Sequence, residues 1–103
     1  MFALLRDGKI TEFNARVQTG EKLDLTNCVF RNVDLRGLEV TGMNFRGSYF
    51  RQADLRGVDL SQCNLEGASI HGTKISGALF SKELSAQEIM LSHQQGTRMR
   101  YGL

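Results

Sequence analysis

Residues 25–80 read LTNCVFRNVDLRGLEVTGMNFRGSYFRQADLRGVDLSQCNLEGASIHGTKISGALF, and every fifth residue of that stretch is bulky and apolar. The series is Leu25, Phe30, Leu35, Val40, Phe45, Phe50, Leu55, Leu60, Leu65, Ile70, Ile75 and Phe80, the expected structural core. A step of five advances about 140° around an α-helix, so no helix face collects these residues. In a straight strand the side chains alternate faces, and an odd step points consecutive members in opposite directions. All twelve reach one interior only if the chain bends after each short extended segment. The corner residues suit such a bend. Gly37, Gly42, Gly47, Gly57, Gly67, Gly72 and Gly77 lie two residues after a core position, with Asn32, Gln52 and Gln62 in the same slot. Gly and Asn tolerate the positive φ of tight turns.

A longer period shows how many bends close one coil. The block CVFRNVDLRG (28–37) returns twenty residues later as SYFRQADLRG (48–57). Thr41, Ser61 and Ser81 keep that spacing, as do Asp24, Asn44 and Asn64. Four five-residue units per coil give a roughly square cross-section, and residues 23–82 make three coils.

Units such as VDLRG (33–37), MNFRG (43–47), ADLRG (53–57), VDLSQ (58–62) and CNLEG (63–67) resemble the pentapeptide-repeat family. The family pattern is a small residue, then Asp or Asn, then Leu or Phe, then two variable residues. LEVTG, TKISG and ALFSK lack the Asp or Asn. The resemblance implies an all-β solenoid: a right-handed quadrilateral β-helix, here of three coils, with short helical caps at both ends.

The flanks read as those caps. In 1–22, Ile10, Phe13 and Val17 recur at helical spacing, with Thr11 as N-cap and Gly20 as stop. Phe2, Leu4 and Leu5 precede a turn at Asp7–Gly8, and the segment is expected to plug the first coil beneath Leu25 and Phe30. In 83–103, Ser85 and Glu88 match a capping box, and Leu84 with Ile89 a hydrophobic staple, which predicts a helix over 86–95 ended by Gly96. Ala86, Ile89, Met90 and His93 form one face, with Leu91 off it. The tail TRMRYGL is expected to be exposed or swapped, its Met99, Tyr101 and Leu103 alternating as in a strand. Leu84, Ile89, Met90, Leu91, Met99 and Tyr101 are thus candidate cap or dimer contacts, and a homodimer through this end is an expectation.

Composition points away from catalysis. Thirteen Lys and Arg against eleven Asp and Glu leave a formal charge of +2, with no strong pull toward nucleic acid or membrane. The start MFALLRDG carries acid too early for a secretion signal, so a cytoplasmic protein is expected. Cys28 and Cys63 sit on different coils and faces, against a disulfide, and no Cys or His cluster has metal spacing. His71 and His93 have no adjoining nucleophile, and the glycines follow the repeat, so they form no phosphate loop. No catalytic, metal or cofactor site is expected.

The twenty-residue index sorts the outward residues into faces. One carries Asp34, Arg36, Asp54, Arg56 and Lys74, whose charges pair among themselves. Another stacks Arg31, Arg51 and His71 beside Tyr49 without a carboxylate, and is the candidate partner face. The expected function is a non-enzymatic protein–protein interaction or scaffold module. The family resemblance supplies one alternative, modulation of a type II topoisomerase by imitation of duplex DNA. Six acids against seven bases in the coils make a poor phosphate mimic, however. Nucleic-acid binding through the arginines is the other alternative, disfavoured by the mixed charge and the scarcity of aromatics.

Overall fold

The computed structural model describes residues 2–18, 24–40 and 42–103. Three elements lie in the flanks: α1 (Phe2–Arg6), α2 (Ile10–Gln18) and α3 (Ala86–Gln95). The expectation of an all-β right-handed quadrilateral β-helix is overturned. Among the described residues there is no strand and no sheet, and the repeat region pairs only through six isolated parallel bridges. The unit length explains this. A turn interrupts the chain every five residues, so only the residue before each core position bridges to a neighbour, and no run of bridges can build up.

The twenty-residue register is nevertheless present in the hydrogen bonds. Val29 bridges Tyr49 and Tyr49 bridges Ser69; Asp34 bridges Asp54 and Asp54 bridges Lys74. Phe30 N donates to Tyr49 O at 2.7 Å, and Phe50 N to Ser69 O at 2.8 Å. Residues 24–40, 45–60 and 65–80 therefore lie as three layers, one above another. Between them the apolar stripe is buried from Leu25 through Ile70, whereas Ile75 and Phe80 are only partly covered. Three rings anchor the centre: Phe30 and Phe50 stack at 5.1 Å, and Phe45 meets Phe50 edge-on at 5.5 Å.

Asp and Asn recur in the units for a local reason. Each side chain accepts the backbone N–H two residues on, as in Asp24 to Thr26 (2.9 Å), Asn44 to Arg46 (3.0 Å) and Asp59 to Ser61 (2.9 Å). Such Asx turns replace a backbone partner at the corner. Corner residues take positive φ with or without such a turn, at Asn32 (60°) and Gln52 (57°) as expected and at Asn27 (55°) besides. Gln62 is not among them, so its corner differs. At Gly47, φ is 71°, a conformation that strains other L residues, and an added Cβ would also push the end of the Asn27 side chain aside.

The N-terminal segment closes the first layer. Leu5 and Phe13 are fully buried, and Phe2 meets the Phe30 ring edge-on at 5.3 Å. Asn14 binds the layer edge twice, donating to Gly37 O (2.9 Å) and accepting from Glu39 N (3.0 Å). The helix starts at Ile10, one residue before the expected cap Thr11. The expected stop at Gly20, the boundary between 22 and 23, and Thr41 lie outside the described residues.

At the other end α3 runs over 86–95 as expected, with Ser85 Oγ accepting Glu88 N at 3.1 Å and Gly96 in the left-handed conformation. Its packed face differs from the expected one. Glu88 and Ser92 are buried and Ile89 and His93 partly so, whereas Ala86 and Met90 are exposed. Polar side chains go inward here because they have hydrogen bonds to make. Ser92 Oγ accepts Ile70 N at 3.1 Å, and the Glu88 carboxylate takes Arg100 through its N–H and guanidinium. Both cysteines are free; burial pushes the Cys63 thiol up to about 11.

Candidate functional site

The tail forms no strand and does not hang free. Met99 is fully buried, its O accepting Gly67 N at 2.7 Å and its N donating to Ala68 O at 2.8 Å. Tyr101 is half-buried, its hydroxyl accepting Leu65 N at 2.7 Å, while Leu103 is exposed. Of the candidate cap or dimer contacts, Leu84 and Met99 are buried, Ile89 and Tyr101 pack against the core, and Met90 and Leu91 are exposed.

This folding back brings Arg98 onto the candidate partner face. Its guanidinium lies 4.8 Å from the centre of the Tyr49 ring, Nη2 donates to the Tyr49 hydroxyl, and Nη1 donates to Gly67 O at 3.2 Å. A cation over an aromatic face contributes about 0.5–1 kcal/mol when exposed. Tyr49 is thus half-buried under the chain's own tail, not open as its position suggested. Gly96 covers His71 in the same way: an added Cβ would stand 3.3 Å from His71 Nδ1, which is buried without a hydrogen-bond partner. Tyr49, Arg51, Ser69, His71, Gln95 and Gly96 line a shallow cleft of about 230 Å³ between face and tail.

Arg31 and Arg51 stay exposed, and neither they nor Arg98 have an ion pair among the described residues. Bridged layers lie about 4.8 Å apart, so the Arg31 and Arg51 backbones hold their charges close. Among the described residues no carboxylate pairs with either. The adjoining face is the opposite case. Arg36 pairs with Asp34 (2.8 Å) and reaches Asp54 (3.4 Å), and Arg56 pairs with Asp54 (2.7 Å). The Arg56 hydrogen bond holds the Asp54 carboxyl down to about 2, from an ordinary 3.8.

That depression sets a pH dependence. A carboxyl with a lower pKa in the folded state favours folding above its unfolded value, and the benefit is lost as pH falls through the folded value. Asp24, Asp34, Asp59 and Glu88 shift in the same direction, each mainly through a side-chain hydrogen bond to its neighbour or to Arg100. Thermal midpoints are therefore expected to stay level above about pH 5 and fall between about pH 4 and pH 2. Asp54→Asn should flatten that fall in a pH series followed by circular dichroism.

Among the described residues no group of three or more His, Cys, Asp or Glu is arranged to hold a metal, and no helix is long and apolar enough to cross a membrane. The family model for pentapeptide repeats matches residues 21–52 and 44–81, in eight copies. The chain belongs to the pentapeptide-repeat family. No curated protein and no solved structure matches it. Within this pentapeptide-repeat protein, sequence reading placed Arg31, Tyr49, Arg51 and His71 on one face, and they do adjoin. It missed Arg98, which lies 49 residues beyond Tyr49. The one available signal was the tail's alternation, which brings Met99 inward and leaves Arg98 and Arg100 outward.

Proposed function

We propose that this pentapeptide-repeat protein is a non-enzymatic docking module whose Arg31–Arg51–Arg98 face binds an acidic segment of another protein. The observation that carries this reading is that Arg31, Arg51 and Arg98 make no ion pair among the described residues, beside a face where Arg36 and Arg56 pair with Asp34 and Asp54. A carboxylate-rich segment lying along the layers would relieve the repulsion and use the planar donor forks of arginine. The cleft beside Tyr49 and His71 offers a place for one side chain of that segment.

Polyglutamate and a duplex DNA of equal charge serve as probes in a binding series at rising salt. Polyglutamate is expected to bind, weakening as salt rises, and Arg31→Glu with Arg51→Glu should weaken it by at least about tenfold. Tighter binding of the duplex would favour the nucleic-acid reading instead. Binding of neither probe, or equal binding by the charge-reversed variant, would remove this face as the docking surface.

A further inference from the structure

The cleft between the arginine face and the tail is lined by donor side chains that have nothing to bind. Arg51 and His71 come from successive layers of one column, since Gln52 N donates to His71 O at 2.9 Å. Gln95 and Gly96 come from the end of α3. Among the described residues the Arg51 guanidinium and the Gln95 amide make no hydrogen bond, and no carboxylate lines the cleft.

His71 adds a third free donor. Its Nδ1 is buried against Gly96 with no partner, at 3.3 Å from where a Cβ would stand on Gly96. An orphaned buried N–H is rarer than an unused acceptor, so the neutral ring keeps its proton on Nε2. Nε2 has no partner among the described residues either, yet it is not sealed off. The frame around these groups is fastened. Ser69 Oγ donates to Gly96 O at 3.2 Å, Gly96 N to Ser92 O at 2.8 Å, and Gly72 N to His93 O at 3.1 Å. These bonds tie the end of α3 to the third layer, so the cleft of about 230 Å³ exists before any ligand arrives. Arg98, 4.8 Å from the centre of the Tyr49 ring, adds positive charge along the same wall.

We propose that this cleft takes the phosphate group of a phosphorylated serine carried on the acidic partner segment. The inference rests on the docking reading above and names the group that anchors it. A carboxylate has two oxygens in one plane and is satisfied by a single arginine fork. A phosphoryl group has three acceptor oxygens and a charge of about −1.5 to −2 at neutral pH. Three unpartnered donor side chains around one cleft, two of them neutral, suit the phosphoryl group and exceed what a carboxylate can use. A phosphoserine is short enough to seat its phosphate in a shallow cleft while the segment runs on toward Arg31.

Two end-capped peptides closely matched in charge test it: Glu-Glu-phosphoserine-Glu-Glu and hexaglutamate, each titrated onto the full chain by calorimetry. The phosphopeptide is expected to bind at least about fivefold more tightly. His71→Phe and Gln95→Ala should each bring the ratio of the two affinities down toward one. Lys74→Ala, on the adjoining face, should leave that ratio unchanged. Should His71→Phe fail to fold by circular dichroism, Gln95→Ala decides. If hexaglutamate binds and the phosphopeptide binds no tighter, the inference falls while the arginine-face reading stands. If neither binds, both fall. A preference that survives both substitutions would place the phosphate elsewhere and overturn the inference. Displacement of the phosphopeptide by an equal concentration of inorganic phosphate would mark a site for the free anion and overturn it as well.

Discussion

Phe50→Ala is expected to remove most of the stability of this protein. The Phe50 ring is fully buried, stacked on Phe30 and edge-on to Phe45, at the middle of the three layers. No neighbour can fill the space, because each adjacent core position is held by its own five-residue unit and by bonds to the layers on either side. Truncating a buried Phe to Ala costs about 3–5 kcal/mol, from lost burial and from the cavity left behind. Small domains have roughly 5–15 kcal/mol in total, and a chain of this size stands near the bottom of that range. Urea denaturation should show the midpoint falling steeply, with little folded protein left at physiological temperature. A loss under about 1 kcal/mol would mean that the rings are not packed together as described.

Ending the chain at Gly96 is the second large effect. It keeps α3 and its left-handed terminus but removes Met99, Tyr101 and Arg100. Met99 is fully buried, Leu65 N and Gly67 N lose their acceptors, and the buried Glu88 carboxylate loses Arg100. A deleted Met side chain costs about 2–5 kcal/mol, and each buried donor left unpaired adds about 1–3 kcal/mol where water does not replace the partner. The shortened chain should therefore melt far below the full one in calorimetry. Tyr101→Phe removes only the hydroxyl, which accepts Leu65 N and donates to Cys63 O, and should cost about 1–3 kcal/mol. If the shortened chain melted with the full one, the tail would not be part of the closed end.

Much of this was readable from residue spacing, and the limits have physical causes. A five-residue period identifies buried positions directly, and the twenty-residue period gives the layer register, because both are properties of neighbouring units. The strands of the expected β-helix do not form, since five residues shared with a turn leave room for one bridge and not a ladder. The inward face of α3 was misread because it is chosen by hydrogen bonds: Ser92 and Glu88 go in, and Met90 stays out. The contact between Arg98 and Tyr49 spans 49 residues and depends on how the tail folds back, which no local pattern encodes. Ile75 and Phe80 continue the apolar stripe perfectly, yet they lie at an end where no further layer follows, and periodicity carries no information about the end of a stack.

Everything proposed for the faces rests on the twenty-residue layering, and amide hydrogen exchange read residue by residue tests it most directly. Protection is expected at Phe30, Leu35, Phe45, Phe50, Leu55 and Leu60, whose N–H groups bond to the layer above. The next residue of each unit, Arg31, Arg36, Arg46, Arg51, Arg56 and Ser61, donates to no other layer and should exchange faster. Tyr49 and Asp54 donate to the layer below, Gly47, Gln52 and Gly57 to the layer above, and Ser48, Ala53 and Val58 within their turns. The predicted profile is therefore protection broken by a gap every fifth residue. Protection without a gap at every fifth residue, or a period of three to four as in a helix, would contradict the layered arrangement and the arginine face built on it.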